Sequence, residues 1–275
     1  MKAHSLQFPG TTLYYETRGS GPVLLMIAGG GTDAGVFEGV AGFLDHDYTV
    51  VTYDPRGNSR SPLDGPPVDQ QIEVHSDDAR RLLETVTDGP AFVFGTSSGA
   101  IVGLDLIARH PTLVSRLVAH EPPMLEMLPD VAMWHAFHDV IYETYRREGA
   151  EVAMQRWAAG VGLDLAGPPP DAELPPGVAA AMKRMVANGD LFLGHELLPF
   201  TRYVPDLPRL SAQKDRIVLA GGHDSREKLS GQTAYRPAVL LAERFGTQVV
   251  EFPGDHGGYG AQPAAFAAKL REVLG

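Results

Sequence analysis

Cysteine is absent from this 275-residue sequence, which excludes disulfides, thiolate chemistry and cysteine-bound metal. No apolar run approaches the roughly 20 residues that a membrane-spanning helix requires. The opening, Met1-Lys2-Ala3-His4-Ser5-Leu6-Gln7-Phe8-Pro9-Gly10, lacks the apolar stretch of about seven residues that a signal peptide needs. No membrane association and a cytoplasmic location are therefore expected. Positive charge is scarce, with 23 Lys and Arg against 34 Asp and Glu and a net charge of -11. That balance argues against nucleic acid or an anionic membrane as partner. His-Glu-x-x-His does not occur, and the ten histidines are scattered without ligand spacing, so no metal site is expected. The Gly29-Gly30-Gly31 turn lacks both Gly-x-Gly-x-x-Gly spacing and the Lys-Ser/Thr ending of a P-loop. Nucleotide cofactors are excluded on that ground. Internal repeats and low-complexity tracts are missing too, Gly167-Pro168-Pro169-Pro170 being no more than a short stiff loop.

What is present reads as an ordinary globular composition, 44% hydrophobic and 21% charged, long enough for one large α/β domain or for a core with an insertion. Thr12 to Thr17 reads as an antiparallel strand at the sheet edge, followed by a turn at Gly19-Ser20-Gly21-Pro22. Val23-Leu24-Leu25-Met26-Ile27-Ala28 is continuously apolar, as expected of a strand covered on both faces. Further strands are read at Tyr48–Tyr53, Ala91–Phe94, Arg116–His120, Arg216–Ala220 and Gln248–Phe252. Helical patterns separate them at Val36–Leu44, Val68–Val86, Ala100–Ala108 and Leu229–Phe245, and a last helix covers Gln262–Leu274. Strands alternating with helices predict βαβ units and a mostly parallel, doubly wound sheet.

The rhythm changes between residues 121 and 210, where only helical patterns and Pro-rich joints occur. The expected organisation is a core of residues 1–120 and 211–275 with residues 121–210 inserted as an all-helical lid. The lid carries Trp134 and Trp157 and six of the eight methionines, Met124, Met127, Met133, Met154, Met182 and Met185. Trp134, Phe137, His138, Ile141 and Tyr145 recur at helical spacing, which fits lid packing. The thioethers also suit a deformable apolar substrate pocket.

The chemistry centres on Gly95-Thr96-Ser97-Ser98-Gly99, placed between the strand Ala91–Phe94 and the helix Ala100–Ala108. Strand, tight Gly-x-Ser-x-Gly turn and helix form a nucleophile elbow, a strained turn that pushes the Ser97 hydroxyl into solvent at the end of the sheet. Working groups of open α/β sheets lie in the loops after the strand carboxyl ends. There the sequence offers Gly221-Gly222-His223-Asp224 and Pro253-Gly254-Asp255-His256, an acid and a base that follow Ser97 in the chain.

Taken together, the Gly29-Gly30-Gly31 turn, Asp54-x-Arg56-Gly57, the elbow, Gly221-x-x-Asp224 and Pro253-Gly254-x-His256-Gly257 resemble the α/β-hydrolase family over nearly the whole chain. The resemblance implies Ser97 as nucleophile, His256 as general base and Asp224 as the acid that orients His256. Glu121, in His120-Glu121-Pro122-Pro123 after another strand, is the rival acid, because family members sometimes draw it from that position; otherwise it lines the pocket or holds the lid. The implied oxyanion hole consists of the backbone N–H groups of Gly30 and Ser98. Ala28 and Thr96 stand where the family often has other residues, which leaves the subfamily open. Asp54 and Arg56 are expected to tie loops together, and His223 and Asp255 to be structural.

The expected activity is that of a cofactor-free serine esterase cleaving a small, largely apolar ester or lactone through an acyl-enzyme, in a monomer or homodimer whose partner is a small-molecule substrate. Serine at the elbow disfavours the dehalogenase and epoxide-hydrolase relatives, which place Asp there. Perhydrolase or carbon-carbon bond hydrolase chemistry on the same triad remains an alternative, as does a hydrolase-like protein that binds a small molecule without turnover.

Overall fold

A computed structural model of the chain describes residues 1–163, 176–228 and 230–275; the Gly167–Pro170 loop lies outside them. Eight strands form one sheet: β1 (Lys2–Phe8), β2 (Thr11–Arg18), β3 (Val23–Ile27), β4 (Thr49–Tyr53), β5 (Ala91–Thr96), β6 (Val114–His120), β7 (Ile217–Gly222) and β8 (Val250–Phe252). Their spatial order is β1-β2-β4-β3-β5-β6-β7-β8. β1 and β2 pair antiparallel, as do β2 and β4, and every pairing from β4 onward is parallel. The doubly wound, mostly parallel sheet predicted from strand-helix alternation is thus present.

All five residues of β3 are buried, as its uninterrupted apolar run requires of a strand sandwiched between helical layers. One layer contains α2 (Ile72–Val86), α3 (Ser98–Arg109) and α11 (Tyr235–Phe245), which bury Leu82, Leu83, Ile101, Leu104, Leu241 and Phe245 against one face. The other contains α1 (Glu38–Leu44) and α13 (Pro263–Leu274), which bury Val40, Leu44, Phe266 and Leu270 beneath Leu24, Met26 and Phe94.

The edge differs from expectation, because β1 rather than β2 is outermost. Only Phe8 of β1 is buried, so the segment carries too little hydrophobic alternation to declare itself; pairing with β2 makes it a strand.

Between β6 and β7 the regular elements among the described residues are all helical. α4 (Val131–Glu148) and α5 (Ala150–Val161) form a hairpin through Gly149, whose φ of 88° opens a turn that favours glycine. A second helical rod follows: α6 (Pro176–Ala187), α7 (Gly189–Leu191), a π-helical turn at Phe192–Glu196 and α8 (Leu197–Thr201). The insertion ends with α9 (Leu207–Ser211), α10 (Ser230–Thr233) precedes α11, and the short α12 (Gly258–Ala261) precedes α13. The helical patterns of the sequence, at Asp130–Gly149, Ala150–Ala159, Gly177–Asp190 and Leu191–Tyr203, break the second rod at Asp190 and do not announce the π turn, since one i→i+5 turn barely disturbs an apolar stripe. No helix among the described residues is long and apolar enough to cross a membrane.

Parallel register brings the carboxyl ends of five strands to one rim. Ile27 is level with Gly95, Thr96 with His120, His120 with Ala220 and Gly222 with Phe252. The residues that follow each strand, Gly29–Gly31, Ser97, Glu121, His223–Asp224 and Asp255–His256, therefore share one end of the sheet, beneath the helical insertion.

Candidate active site

Ser97 sits between β5 and α3 with φ 55° and ψ -130°, a region that L side chains enter only when their surroundings hold them there. Three features hold it. Its N–H donates to the His120 carbonyl at 3.0 Å. A Cβ on Gly95 would lie 2.3 Å from the Gly99 carbonyl oxygen, and one on Gly99 would lie 2.3 Å from that of Ile27. Both glycines of the motif thus permit backbone contacts that any other residue would block, and β3, β5 and α3 close around the serine.

His256 follows β8 and carries the shortest carboxylate contact of the site: its Nδ1 lies 2.6 Å from Oε2 of Glu121. Glu121 is fully buried, and its other oxygen accepts the Gly222 N–H at 2.7 Å. It too has an uncommon backbone, with φ 49°, directly after β6, where its N–H donates to the Ala220 carbonyl at 2.9 Å. Burial opposes its ionisation, but the hydrogen bond and charge of His256 outweigh burial and hold its carboxyl down at about 2.

Contrary to the expectation from the sequence, Asp224 does not meet His256, whose Nδ1 is taken by Glu121. Beyond Gly222, β7 turns into a 3₁₀ segment, His223–Ser225, which leaves Asp224 exposed with its N–H donating to the Gly254 carbonyl at 2.9 Å. Glu121, the rival acid, occupies the place instead, because it leaves the strand next to β5 and turns beneath the histidine. The neighbouring residues serve their loops: His223 Nδ1 lies 3.0 Å from Glu251 Oε2, and Asp255 accepts from Lys228 at 2.8 Å. Arg56 makes a two-pronged pair with buried Asp78, both bonds at 2.6 Å, and Asp54 accepts from Arg60 and from the Ala34 N–H.

Behind the elbow His120 is wholly buried, its Nδ1 3.1 Å from Thr96 Oγ1 and its ring centroid 6.3 Å from that of His256. Burial lowers its pKa to about 4, so it stays neutral at ordinary pH.

Ser97 and His256 open into one cavity of about 80 Å³, bordered also by Gly30 and Ser98. Its far wall is apolar and comes largely from the insertion: Trp157, Val161, Phe192, Leu197 and Phe200, with His138 among them. Burial brings His138 down to about 4, so this histidine is uncharged as well. No Asp, Glu, Lys or Arg borders the cavity among the described residues.

The methionines, which suit lid packing or a deformable pocket, do not line the cavity. Met124 is buried in the main core, and Met133 is exposed. The aromatic residues divide their roles: Trp134 packs with Leu125 and Leu128, whereas Trp157 meets Phe192 edge-on at 5.0 Å and forms the pocket wall.

Gly30 and Ser98, the expected oxyanion donors, both border the cavity. Ser98 is the first residue of α3, so its N–H has no intrahelical acceptor. The adjoining Gly31 N–H is taken by Oε2 of Glu196 at 3.2 Å. Glu196 escaped the sequence reading; its one trace there was a lone acid in the apolar run Phe192-Leu193-Gly194-His195-Glu196-Leu197. Among the described residues no three His, Cys, Asp or Glu side chains gather as a metal-holding group.

Comparison with known proteins agrees with this architecture. The chain is 38% identical over 276 residues to YraK, an uncharacterized hydrolase of Bacillus subtilis, covering 98% of this chain and 95% of that protein. A shorter match, 32% over 108 residues, covers 39% of this chain and 38% of a 2-(acetamidomethylene)succinate hydrolase of Mesorhizobium japonicum. A thermophilic esterase from Thermogutta terrifontis superposes with a TM-score of 0.76 at 17% identity, covering 100% of this chain and 98% of that one, a likeness of fold. The family model for the alpha/beta hydrolase fold matches residues 22–159, and with the strand order and the elbow already described, the chain belongs to the α/β-hydrolase family.

Proposed function

We propose that this protein is a serine hydrolase that transfers the acyl group of a small, uncharged, largely apolar ester or lactone to water. The observation that carries the reading is the 2.6 Å contact between His256 Nδ1 and Glu121 at the mouth of a cavity that Ser97 also enters. A hydroxyl is a weak nucleophile until a base takes its proton. The Glu121 carboxylate binds the Nδ1–H, which fixes the tautomer with Nε2 unprotonated and stabilises the imidazolium that forms.

In the first half-reaction Ser97 Oγ bonds to the substrate carbonyl carbon while His256 takes the hydroxyl proton. The oxyanion is met by the N–H groups of Gly30 and Ser98. Collapse breaks the bond to the alcohol oxygen, which leaves with the proton from His256. Water then repeats the sequence on the acyl-enzyme, delivering a proton to His256 and finally to Ser97, and the carboxylic acid departs.

The substrate class follows from the wall. With no charged side chain on it among the described residues, an acyl group bearing carboxylates would lose its hydration without a counter-charge. A succinate-type substrate such as that named for the Mesorhizobium relative is disfavoured, and a short neutral acyl chain fits.

Labelling with a fluorophosphonate, with Ser97→Ala as control, followed by turnover of nitrophenyl esters of increasing chain length tests the reading. Labelling that vanishes in the variant, with turnover of short neutral esters, supports it. A folded wild-type protein that neither labels nor turns over any ester would instead be a binding protein on a hydrolase fold.

A further inference from the structure

The second rod of the insertion faces the sheet rim with residues four apart in sequence: Arg184, Asn188, Phe192 and Glu196. The spacing survives the local irregularities because Asn188 N–H still bonds the Arg184 carbonyl at 3.0 Å and Phe192 N–H that of Asn188 at 2.9 Å. Every one of the four touches the turn after β3 or the loop after β4. Arg184 Nε donates to Asp33 at 2.6 Å. Asn188 Nδ2 donates to the Gly31 carbonyl at 3.1 Å, while its Oδ1 accepts the N–H of Ser59, a residue held at φ 51°, at 2.8 Å. The Phe192 ring covers Gly30 so closely that a Cβ there would lie 2.8 Å from it. Glu196 accepts the Gly31 N–H at 3.2 Å and Asn58 Nδ2 at 2.7 Å.

Gly31 is therefore held at both ends, its carbonyl by Asn188 and its N–H by Glu196, while the peptide before it carries the Gly30 residue that borders the cavity. At φ 66° Gly31 belongs to a turn that favours glycine, and nothing in its own side chain could fix it. We propose that Glu196, with Asn188, is a positioning residue that holds the Gly30–Gly31 turn in the conformation in which the Gly30 N–H meets the substrate oxyanion, so that docking of the insertion completes the oxyanion hole. This rests on the acyl-transfer reading above.

The surroundings of Glu196 suit a hydrogen-bonding role better than a charge role. It is fully buried with no cation against it among the described residues, and burial pushes its carboxyl up to about 7. It borders a small void of about 10 Å³ with Tyr53, Asn58 and His75. The Tyr53 hydroxyl and Asn58 Oδ1 have no partner among the described residues. An amide in place of the carboxyl can keep the essential bond: its oxygen accepts the Gly31 N–H, and its NH₂ meets Asn58 Oδ1 once that amide turns over.

The test compares wild type, Glu196→Leu and Glu196→Gln for the rate of fluorophosphonate labelling at Ser97, for kcat and KM with a short neutral nitrophenyl ester, and for thermal unfolding. Loss of one oxyanion donor costs about 10²–10³ in rate. Glu196→Leu is expected to lose about 10² in kcat with KM little changed, and Glu196→Gln to recover most of it. A folded Glu196→Leu with wild-type kcat overturns the proposal, as does a Glu196→Gln no better than the leucine variant. If Glu196→Leu does not fold, Asn188→Ala removes the bond to the Gly31 carbonyl without adding bulk. It should lower kcat with KM held, and an unchanged kcat again overturns the proposal. A wild-type protein that is not labelled fails at the acyl-transfer reading, before any variant is compared, and the inference falls with it.

Discussion

Glu121 and His256 lie 135 positions apart in the chain and meet at 2.6 Å. The carboxylate is wholly buried and the imidazole borders the cavity. The pair puts a carboxylate directly after β6, the neighbour of β5, and not on the β7 loop, and under the proposed acyl-transfer reading this decides which carboxylate matters.

Replacing Glu121 by Gln is therefore expected to lower kcat by about 10⁴, the scale seen when the orienting carboxylate of a serine triad becomes an amide. Asp224→Asn, a change at an exposed residue that bonds, among the described residues, only through its backbone, should leave kcat close to wild type. Steady-state kinetics on one ester decides the matter, and a large loss in Asp224→Asn would reverse the assignment.

The two buried glutamates should pull stability in opposite directions with pH. Glu121 is depressed to about 2 from 4.5, so its contribution is complete above about 4.5 and fades as pH falls toward 2. Glu196 is raised to about 7 from 4.5, so the fold favours its protonated form. Its contribution is complete below about 4.5 and is lost as pH rises through about 7, on the order of 3 kcal/mol in all. Urea unfolding of wild type and Glu196→Gln at about pH 5 and pH 8 should show the wild type losing more stability at the higher pH. Parallel losses would remove Glu196 as the cause.

Gly99→Ala should damage the protein through its backbone contacts. The new methyl carbon would lie 2.3 Å from the Ile27 carbonyl oxygen and 2.5 Å from that of Ala28. Neither is the end of a flexible side chain, so β3 and α3 must separate. A loss of about 1–3 kcal/mol is expected, together with slower Ser97 labelling, because the same contact sets the turn after β3, the proposed oxyanion turn, against the elbow. Thermal unfolding and labelling on one sample check both, and an unperturbed variant would show that the contact can relax.

Trp157→Ala should lengthen the acyl chain that the pocket accepts. The indole stands at the cavity wall against Phe192, and its removal opens apolar space without touching Ser97, Glu121 or His256. The optimum across a series of nitrophenyl esters should move to longer chains, while the rate on the shortest falls through looser positioning. An unmoved optimum would place the acyl chain elsewhere in the cavity.

Local chemistry by itself determined much of this protein. The unbroken apolar run of β3 required a strand covered on both faces, and Gly-x-Ser-x-Gly between strand and helix required a serine in a strained turn, because only glycines allow so close a backbone approach; the hydroxyl expected in solvent is half-buried instead, because the insertion covers the cavity it enters. Ser97 and the His256 loop were legible for the same reason: each sits where a strand pattern breaks into Gly-rich chain. The partner of His256 was not legible, since Glu121 and Asp224 both follow strands and composition cannot say which loop turns inward; the order of β6 between β5 and β7 and the 3₁₀ turn at His223–Ser225 decided it. Glu196 was hidden more deeply. In sequence it is one acid within an apolar helix, and it acquires meaning only when the insertion folds over the rim and brings its carboxyl to a glycine 165 residues earlier. Patterns of neighbouring residues encode strands, helices and turns, whereas pairing between distant polar groups depends on how those elements pack, which tertiary structure alone fixes.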